Sequence, residues 1–214
     1  MSVAEQESEL FLQIAQQLAE CGYCVLPKAL PDALSKALYQ RVKALPDEAF
    51  RRAGIGRNQQ HQLDDDYRTD EIHWLESEQA AEQHYLTWME QLRQGINRTL
   101  FMGLFDYEAH FAHYAPGTFY KRHLDAFQGN TNRVVTTVFY LNPDWQAAQG
   151  GEIHLYADQQ AEQPFKSIHP QQGTLVVFLS DQFPHEVVSA TRDRYSIAGW
   201  FRVKSVGPLI DPPR

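Results

Sequence analysis

The chain has 214 residues, 43% of them hydrophobic, and 27 acidic against 19 basic side chains give a formal net charge of -8. That length suits one domain, 1-214, with its own core, and no Pro-, Ser- or Gly-rich tract cuts it in two. The negative balance argues against a nucleic-acid partner, the lack of an apolar run near twenty residues argues against a membrane span, and the polar, acidic start shows no signal-peptide pattern, so the expected location is cytoplasmic.

In chain order, Phe11, Ile14 and Leu18 share one face of a first helix. Cys21 and Cys24, the only cysteines, have a thioredoxin-like spacing. Such a pair opens a helix, whereas Cys24-Val25-Leu26-Pro27 reads as an extended segment leaving one, so buried or half-buried thiols are the better reading. A second helix runs from Asp32, read as its N-cap, through Leu34, Leu38, Val42 and Leu45 to Pro46. Residues 51–70 are rich in Arg, Gly, Asn, Gln and Asp with little to bury, and are read as a loop or long hairpin that covers a substrate. A third helix, capped by Ser77, places Ala81, Tyr85, Trp88, Met89, Leu92 and Ile96 on a core-facing stripe. Residues 1-104 are therefore a mainly helical support.

From Phe105 the texture changes to short β-branched and aromatic runs separated by turn residues. The expected strands are Ala109–Tyr114, Phe119–Asp125, Arg133–Leu141, Gly151–Tyr156, Thr174–Phe178, His185–Val188 and Tyr195–Val203. Strands without interleaved helices argue a sandwich or jelly roll, so the fold class is α+β, with the β core at 105-203.

His123-Leu124-Asp125 carries the chemistry. On a strand, alternation throws both side chains to one face, and His185, about sixty residues on, completes three corners of a metal octahedron. The pair alone is a weak signal; its surroundings strengthen it. His185 follows the apolar strand 173–179, and Arg194 opens the next strand, with Ser196, Ala198 and Trp200 on its face and Tyr195, Ile197 and Phe201 on the other. A His/Asp/His set suits Fe(II) with open positions for a 2-oxo acid and dioxygen, and an arginine fork suits the acid's far carboxylate. Arg194 fits that role and Tyr140 fits as a second donor; a surface ion pair with Asp193 or Glu186, and ordinary packing, are their plainer readings.

Taken in order, Tyr114-Ala-Pro-Gly-Thr-Phe-Tyr-Lys-Arg-His123-Leu-Asp125, Arg133 through Trp145, Gly150-Gly-Glu-Ile-His-Leu, Pro184-His185-Glu-Val and Arg194-Tyr-Ser-Ile-Ala-Gly-Trp200 resemble the prolyl hydroxylase branch of the Fe(II)/2-oxoglutarate oxygenases. The likeness is strongest to the hypoxia-inducible-factor prolyl hydroxylases and their bacterial relatives, with a weaker echo in Arg68-Thr-Asp-Glu-Ile-His-Trp-Leu75. The resemblance implies a double-stranded β-helix with supporting amino-terminal helices. It implies Fe(II) on His123, Asp125 and His185, the distal carboxylate of 2-oxoglutarate on Arg194 and Tyr140, and Tyr114, Trp200 and Thr136 lining the cofactor pocket. Arg133 would face the substrate and 51-70 would be the substrate loop. Cofactors would be Fe(II), 2-oxoglutarate and O2, with ascorbate as an accessory reductant.

The activity so implied is hydroxylation of a prolyl residue in a protein, with release of succinate and CO2. Elongation factor Tu is one candidate substrate; a ribosomal protein or a small prolyl peptide are others. Ala198 departs from the hypoxia enzymes, which offer a threonine there. Rival readings are a cupin, which lacks its His-x-His here; a nucleic-acid demethylase, disfavoured by charge and by Trp200 where a further arginine is expected; and a non-enzymatic β-sandwich binding module, which would make the joint match a coincidence.

Overall fold

The computed structural model of the chain describes residues 3–53, 66–126 and 132–204. Helix α1 (Val3–Cys21) turns Phe11, Ile14, Ala15 and Leu18 into the core. Strand β1 (Tyr23–Leu26) follows it directly, as the extended reading of Cys24 expects. Cys21 is exposed rather than half-buried, because it lies on the outer face of the last helical turn; Cys24 is buried, and burial pushes its thiol up to about 11. That shift is opposite to the one an activated redox thiol requires.

Both expected helix caps are displaced. Helix α2 (Asp32–Lys43) takes Asp32 as its first residue, and Pro31 holds the cap position without a side-chain bond. Asp32 still faces the positive end of the helix dipole, so its charge serves the helix without capping it. Helix α3 (Ala80–Leu100) begins after Gln79 rather than Ser77. The fully buried carboxylate of Glu82 governs this start: it accepts the N–H of Glu76 and an Nε–H of Arg41, 2.7 Å away on α2, tying two helices at one point. No helix among the described residues is long and apolar enough to cross a membrane.

The remaining strands are β2 (Arg51–Arg52), β3 (Glu71–Trp74), β4 (Leu104–Tyr114), β5 (Tyr120–His123), β6 (Arg133–Tyr140), β7 (Ile153–Leu155), β8 (Lys166–Ile168), β9 (Leu175–Leu179), β10 (His185–Val187) and β11 (Arg194–Val203). All seven expected strands are among them; β4 starts earlier than expected, and the short polar strands β2, β3 and β8 carried too little pattern to be read. They pair antiparallel in two sheets, β1-β9-β6-β11-β4-β3-β2 and β5-β10-β7-β8. The result is an α+β jelly roll.

The helices cover the back of the larger sheet, where Phe111, Val135, Phe139, Val177, Ile197 and Phe201 join Ile14, Leu38 and Met89 in the main core. The front of that sheet faces the smaller one across a cavity. Alternation on β11 sorts side chains as expected: Arg194, Ser196, Ala198 and Trp200 line the cavity, while Tyr195, Ile197 and Phe201 enter the core. Of the expected substrate loop, residues 54–65 lie outside the described residues. Its flanks pair as β2 with β3, and Arg51, Arg52, Arg68 and Asp70 all line the cavity.

Candidate active site

The cavity measures about 770 Å³, within the range of small-molecule and cofactor sites. The three expected metal ligands, His123, Asp125 and His185, all line it, and they come from two paired strands and the bend that follows one of them. His123 ends β5 and His185 opens β10, and the two are direct partners in the antiparallel register, which sets their rings 4.2 Å apart. Asp125 is not on a strand as expected: β5 stops at His123, and Asp125 occupies the bend beyond it. Its carboxylate nevertheless reaches both imidazoles, with Oδ1 3.6 Å from His123 Nε2 and Oδ2 3.6 Å from His185 Nε2. The ligand atoms of this trio all lie within 4.8 Å of one another.

The tautomers follow from the neighbours. His123 Nδ1 donates to the carbonyl of Lys121 at 2.8 Å, and His185 Nδ1 donates to that of Phe183 at 3.1 Å. A carbonyl only accepts, so Nδ1 of each ring carries a proton and Nε2 of each ring is the atom turned toward Asp125, the orientation a metal-binding histidine needs. Burial, then the neighbouring His123, lowers the His185 pKa to about 4, keeping it neutral. Burial alone would raise Asp125, but the two imidazoles hold its carboxyl well below the usual range. Thr136 Oγ1 donates to Asp125 Oδ2 at 2.8 Å. Thr136 lines the cavity, and its hydroxyl is directed at the Asp125 carboxylate.

A second polar end lies deeper. Arg194, 1% exposed, donates from Nε to the carbonyl of Gly151 at 2.8 Å and from Nη1 to Ser196 Oγ, and its guanidinium lies between the rings of Tyr114 and Tyr140. Arg194 Nη2 and Tyr140 Oη are both buried without a hydrogen-bond partner. Two unpartnered donors at a buried cation fit a carboxylate group, since a buried polar atom is costly until something pairs with it. Burial pushes the Tyr140 hydroxyl up to about 12, so it remains a donor. The surface ion pair considered for Arg194 is absent among its described contacts.

Toward the mouth, Arg133 donates from Nε and Nη2 to Glu108 Oε1 and its guanidinium lies 3.6 Å from the ring centre of Trp200, so it lines the cavity as part of a wall. Glu108 also receives Arg202, which explains how a buried carboxylate on β4 is satisfied. Trp200 Nε1 is buried and unpartnered. Residues given no role in the site from the sequence complete the walls: Asp70, held by a two-pronged bond from Arg68 at 2.6 and 2.9 Å, and His110, between Trp74 and Trp200; Ser180 stands behind the wall, against Thr136. The surroundings of His110 and Ser180 arise from cross-strand neighbours, and those of Asp70 from Arg68 two residues before it.

Comparison with known proteins decides the family. A model described as the 2OG-Fe(II) oxygenase superfamily matches residues 109–202, the β-rich half that carries every residue of the cavity's two polar ends. A prolyl-4-hydroxylase of Pseudomonas putida superposes with a TM-score of 0.81 at 37% identity, over 91% of this chain and 100% of that one. The chain belongs to the prolyl hydroxylase family of 2-oxoglutarate/Fe(II) oxygenases. Egl nine homolog 1 of Homo sapiens is 31% identical over 190 residues, 84% of this chain and 43% of its own. A prolyl hydroxylase solved in complex with a hypoxia inducible factor oxygen degradation domain peptide fragment from Trichoplax adhaerens superposes with a TM-score of 0.80 at 26% identity, over 93% of this chain and 91% of that one. The chain spans about half the length of the curated Egl nine relatives it matches first. Membership in this oxygenase family implies Fe(II), 2-oxoglutarate and O2 as the reacting set.

Proposed function

We propose that this prolyl hydroxylase relative hydroxylates a prolyl residue of a protein substrate, using Fe(II), 2-oxoglutarate and O2 and releasing succinate and CO2. The observation that carries the reading is the joint presence, in one cavity, of the His123/Asp125/His185 trio and of the unpartnered donors of Arg194 and Tyr140. When bound, Fe(II) supplies the redox chemistry: 2-oxoglutarate, O2 and a substrate C–H become succinate, CO2 and an alcohol, with one oxygen atom in each oxidised product.

The chain's own residues do the holding. His123 and His185 each turn Nε2, and Asp125 its carboxylate, toward a common point, so three donors are arranged for one ion. Arg194 and Tyr140 would bind the far carboxylate of 2-oxoglutarate, Arg194 as a fixed cation and Tyr140 as an O–H donor. Trp200, Tyr114 and the aliphatic Val138, Ile153 and Val187 exclude water from the region between. Selectivity for one C–H then depends on how the peptide is held at the mouth, where Arg133, Trp74 and the flanks of 51–70 line the opening. Relatives are described with protein substrates, and elongation factor Tu is the specific target we propose. A cytoplasmic site of action and ascorbate as reductant belong to the same proposal.

Anaerobic addition of Fe(II) and 2-oxoglutarate to the purified chain should give a weak visible charge-transfer band, lost in Asp125→Ala. Absence of the band at saturating ligand would favour a binding module. Mass spectrometry of elongation factor Tu before and after incubation, seeking one added oxygen on a proline, tests the substrate; an unmodified protein alongside a modified ribosomal protein would redirect it.

A further inference from the structure

We propose that Ser180, acting through Thr136, is a positioning residue for the carboxylate of Asp125; this rests on reading His123, Asp125 and His185 as the metal site. Asp125 lies beyond the last residue of β5, so no ladder hydrogen bond fixes it. Something else must hold a carboxylate at equal distances of 3.6 Å from two imidazoles.

The hydroxyls behind it supply that hold, and their direction can be worked out. Thr136 Oγ1 is 2.8 Å from Asp125 Oδ2 and 2.9 Å from Ser180 Oγ. An ionised carboxylate only accepts, so the single Thr136 proton goes to Asp125. The Thr136–Ser180 contact then has one available proton, that of Ser180. The relay therefore runs from Ser180 O–H to Thr136 Oγ1, and from Thr136 O–H to Asp125 Oδ2.

Ser180 also grips the main chain on both sides of this relay. Its N–H donates to Val134 O at 3.0 Å, at the start of β6, and its carbonyl accepts the N–H of Ala126, the residue next to Asp125, at 3.3 Å. Ser180 is fully buried and Thr136 nearly so, so water does not compete for these bonds. One residue at the end of β9 thus fixes the bend that carries the carboxylate and, through a neighbour, the rotation of the carboxylate itself. Partners that orient a metal-binding carboxylate change metal affinity by about 10–100-fold when removed.

The test uses Co(II) as the probe metal on the full chain, without 2-oxoglutarate or peptide, reading affinity by calorimetry and release rate into excess chelator. Thr136→Val, which keeps shape and removes the hydroxyl, should weaken Co(II) binding by about 10–100-fold. Thr136→Ser should restore it to within about twofold, and Ser180→Ala, which keeps both main-chain bonds, should weaken it by roughly 3–10-fold through loss of the relay's first bond. In a Thr136→Val background, Ser180→Ala should add nothing further, because its effect passes through Thr136. Wild-type affinity in Thr136→Val overturns the proposal, as does a Ser180→Ala effect that persists at full size in that background. If Ser180→Ala fails to fold, Ser180→Cys, a weaker donor that also keeps both main-chain bonds, decides by the same comparison with and without Thr136→Val. If the wild-type chain binds no Co(II), or His185→Ala binds it as tightly as wild type, the metal-site reading fails first and this proposal with it.

Discussion

Tyr140 and Arg194 meet at the deep end of the cavity with the guanidinium carbon 5.1 Å from the tyrosine ring centre, and each keeps one buried donor atom without a partner. Tyr140→Phe should therefore weaken 2-oxoglutarate binding by about tenfold or more, the worth of one hydrogen bond to a charged acceptor, and Arg194→Met by about 100-fold or more, since it also removes the counter-charge. The ligand-free melting temperature of Tyr140→Phe should not fall, because no protein group loses a bond. Calorimetric titration with 2-oxoglutarate checks both, and unchanged affinity in either variant would move the carboxylate site elsewhere.

Gly151 is part of how that arginine is held. It sits at φ +77, where a side chain is strained, and a Cβ there would lie 3.0 Å from both Ala190 Cβ and Trp145 Cζ2 and 3.4 Å from Arg194 Cδ. Gly151→Ala should lower stability by about 1–3 kcal/mol, the usual cost of a non-glycine residue in such a conformation combined with crowding. It should also weaken 2-oxoglutarate binding, because Arg194 takes its orientation from the Gly151 carbonyl. A denaturation curve and a binding titration on the same sample separate the two effects.

The core of the site was legible because its chemistry is carried by residue types with few substitutes. His123, Asp125, His185 and Arg194 stand out as a set, and β11 has enough alternating length to place Arg194 and Trp200 on the cavity side. What escaped was context. Asp125 falls off its strand because β5 ends at His123, and a His-x-Asp spacing reads the same either way. Asp32 and Ser77 have good capping chemistry, but Pro31 and the buried Glu82 set the helix starts through geometry and a tertiary ion pair. Ser180 and Glu108 gain their roles from strands far away in sequence, which no local pattern encodes.

Asp70 is the opposite case, paired with a neighbour only two residues away. Its side chain is fully buried against Arg68, whose guanidinium also lies over the ring of Tyr120, the residue stacked 3.6 Å from His123. Burial alone would raise the Asp70 carboxyl, but Arg68 holds it low. Asp70→Asn should cost about 3–5 kcal/mol by leaving a buried guanidinium without its counter-charge, and Arg68→Met combined with Asp70→Leu should recover most of the loss. Urea denaturation of the three variants tests this; a double variant as unstable as Asp70→Asn would show that the pair contributes more than charge neutrality.

His110 titrates over the same window as His185, and substitution separates the two. It is 2% exposed, wedged between Trp74 and Trp200, and burial, followed by the nearby Arg68 cation, lowers its pKa to about 4 from 6.5. Between those values the unfolded chain takes up a proton that the folded chain refuses, so stability falls as pH falls through this window. Above 6.5 both states are neutral and the full contribution is present; below about 4 both are protonated and no further loss occurs. The slope from one such group is at most about 1.4 kcal/mol per pH unit. His110→Phe removes the group while keeping an aromatic ring, so the stability difference between pH 7.5 and pH 5 should shrink by roughly 2 kcal/mol relative to the unmutated chain. His185 titrates in both proteins and cancels in the comparison. Denaturation curves at the two pH values supply the measurement, and an undiminished difference in His110→Phe would mean that His110 carries its proton in the folded chain as readily as in the unfolded one.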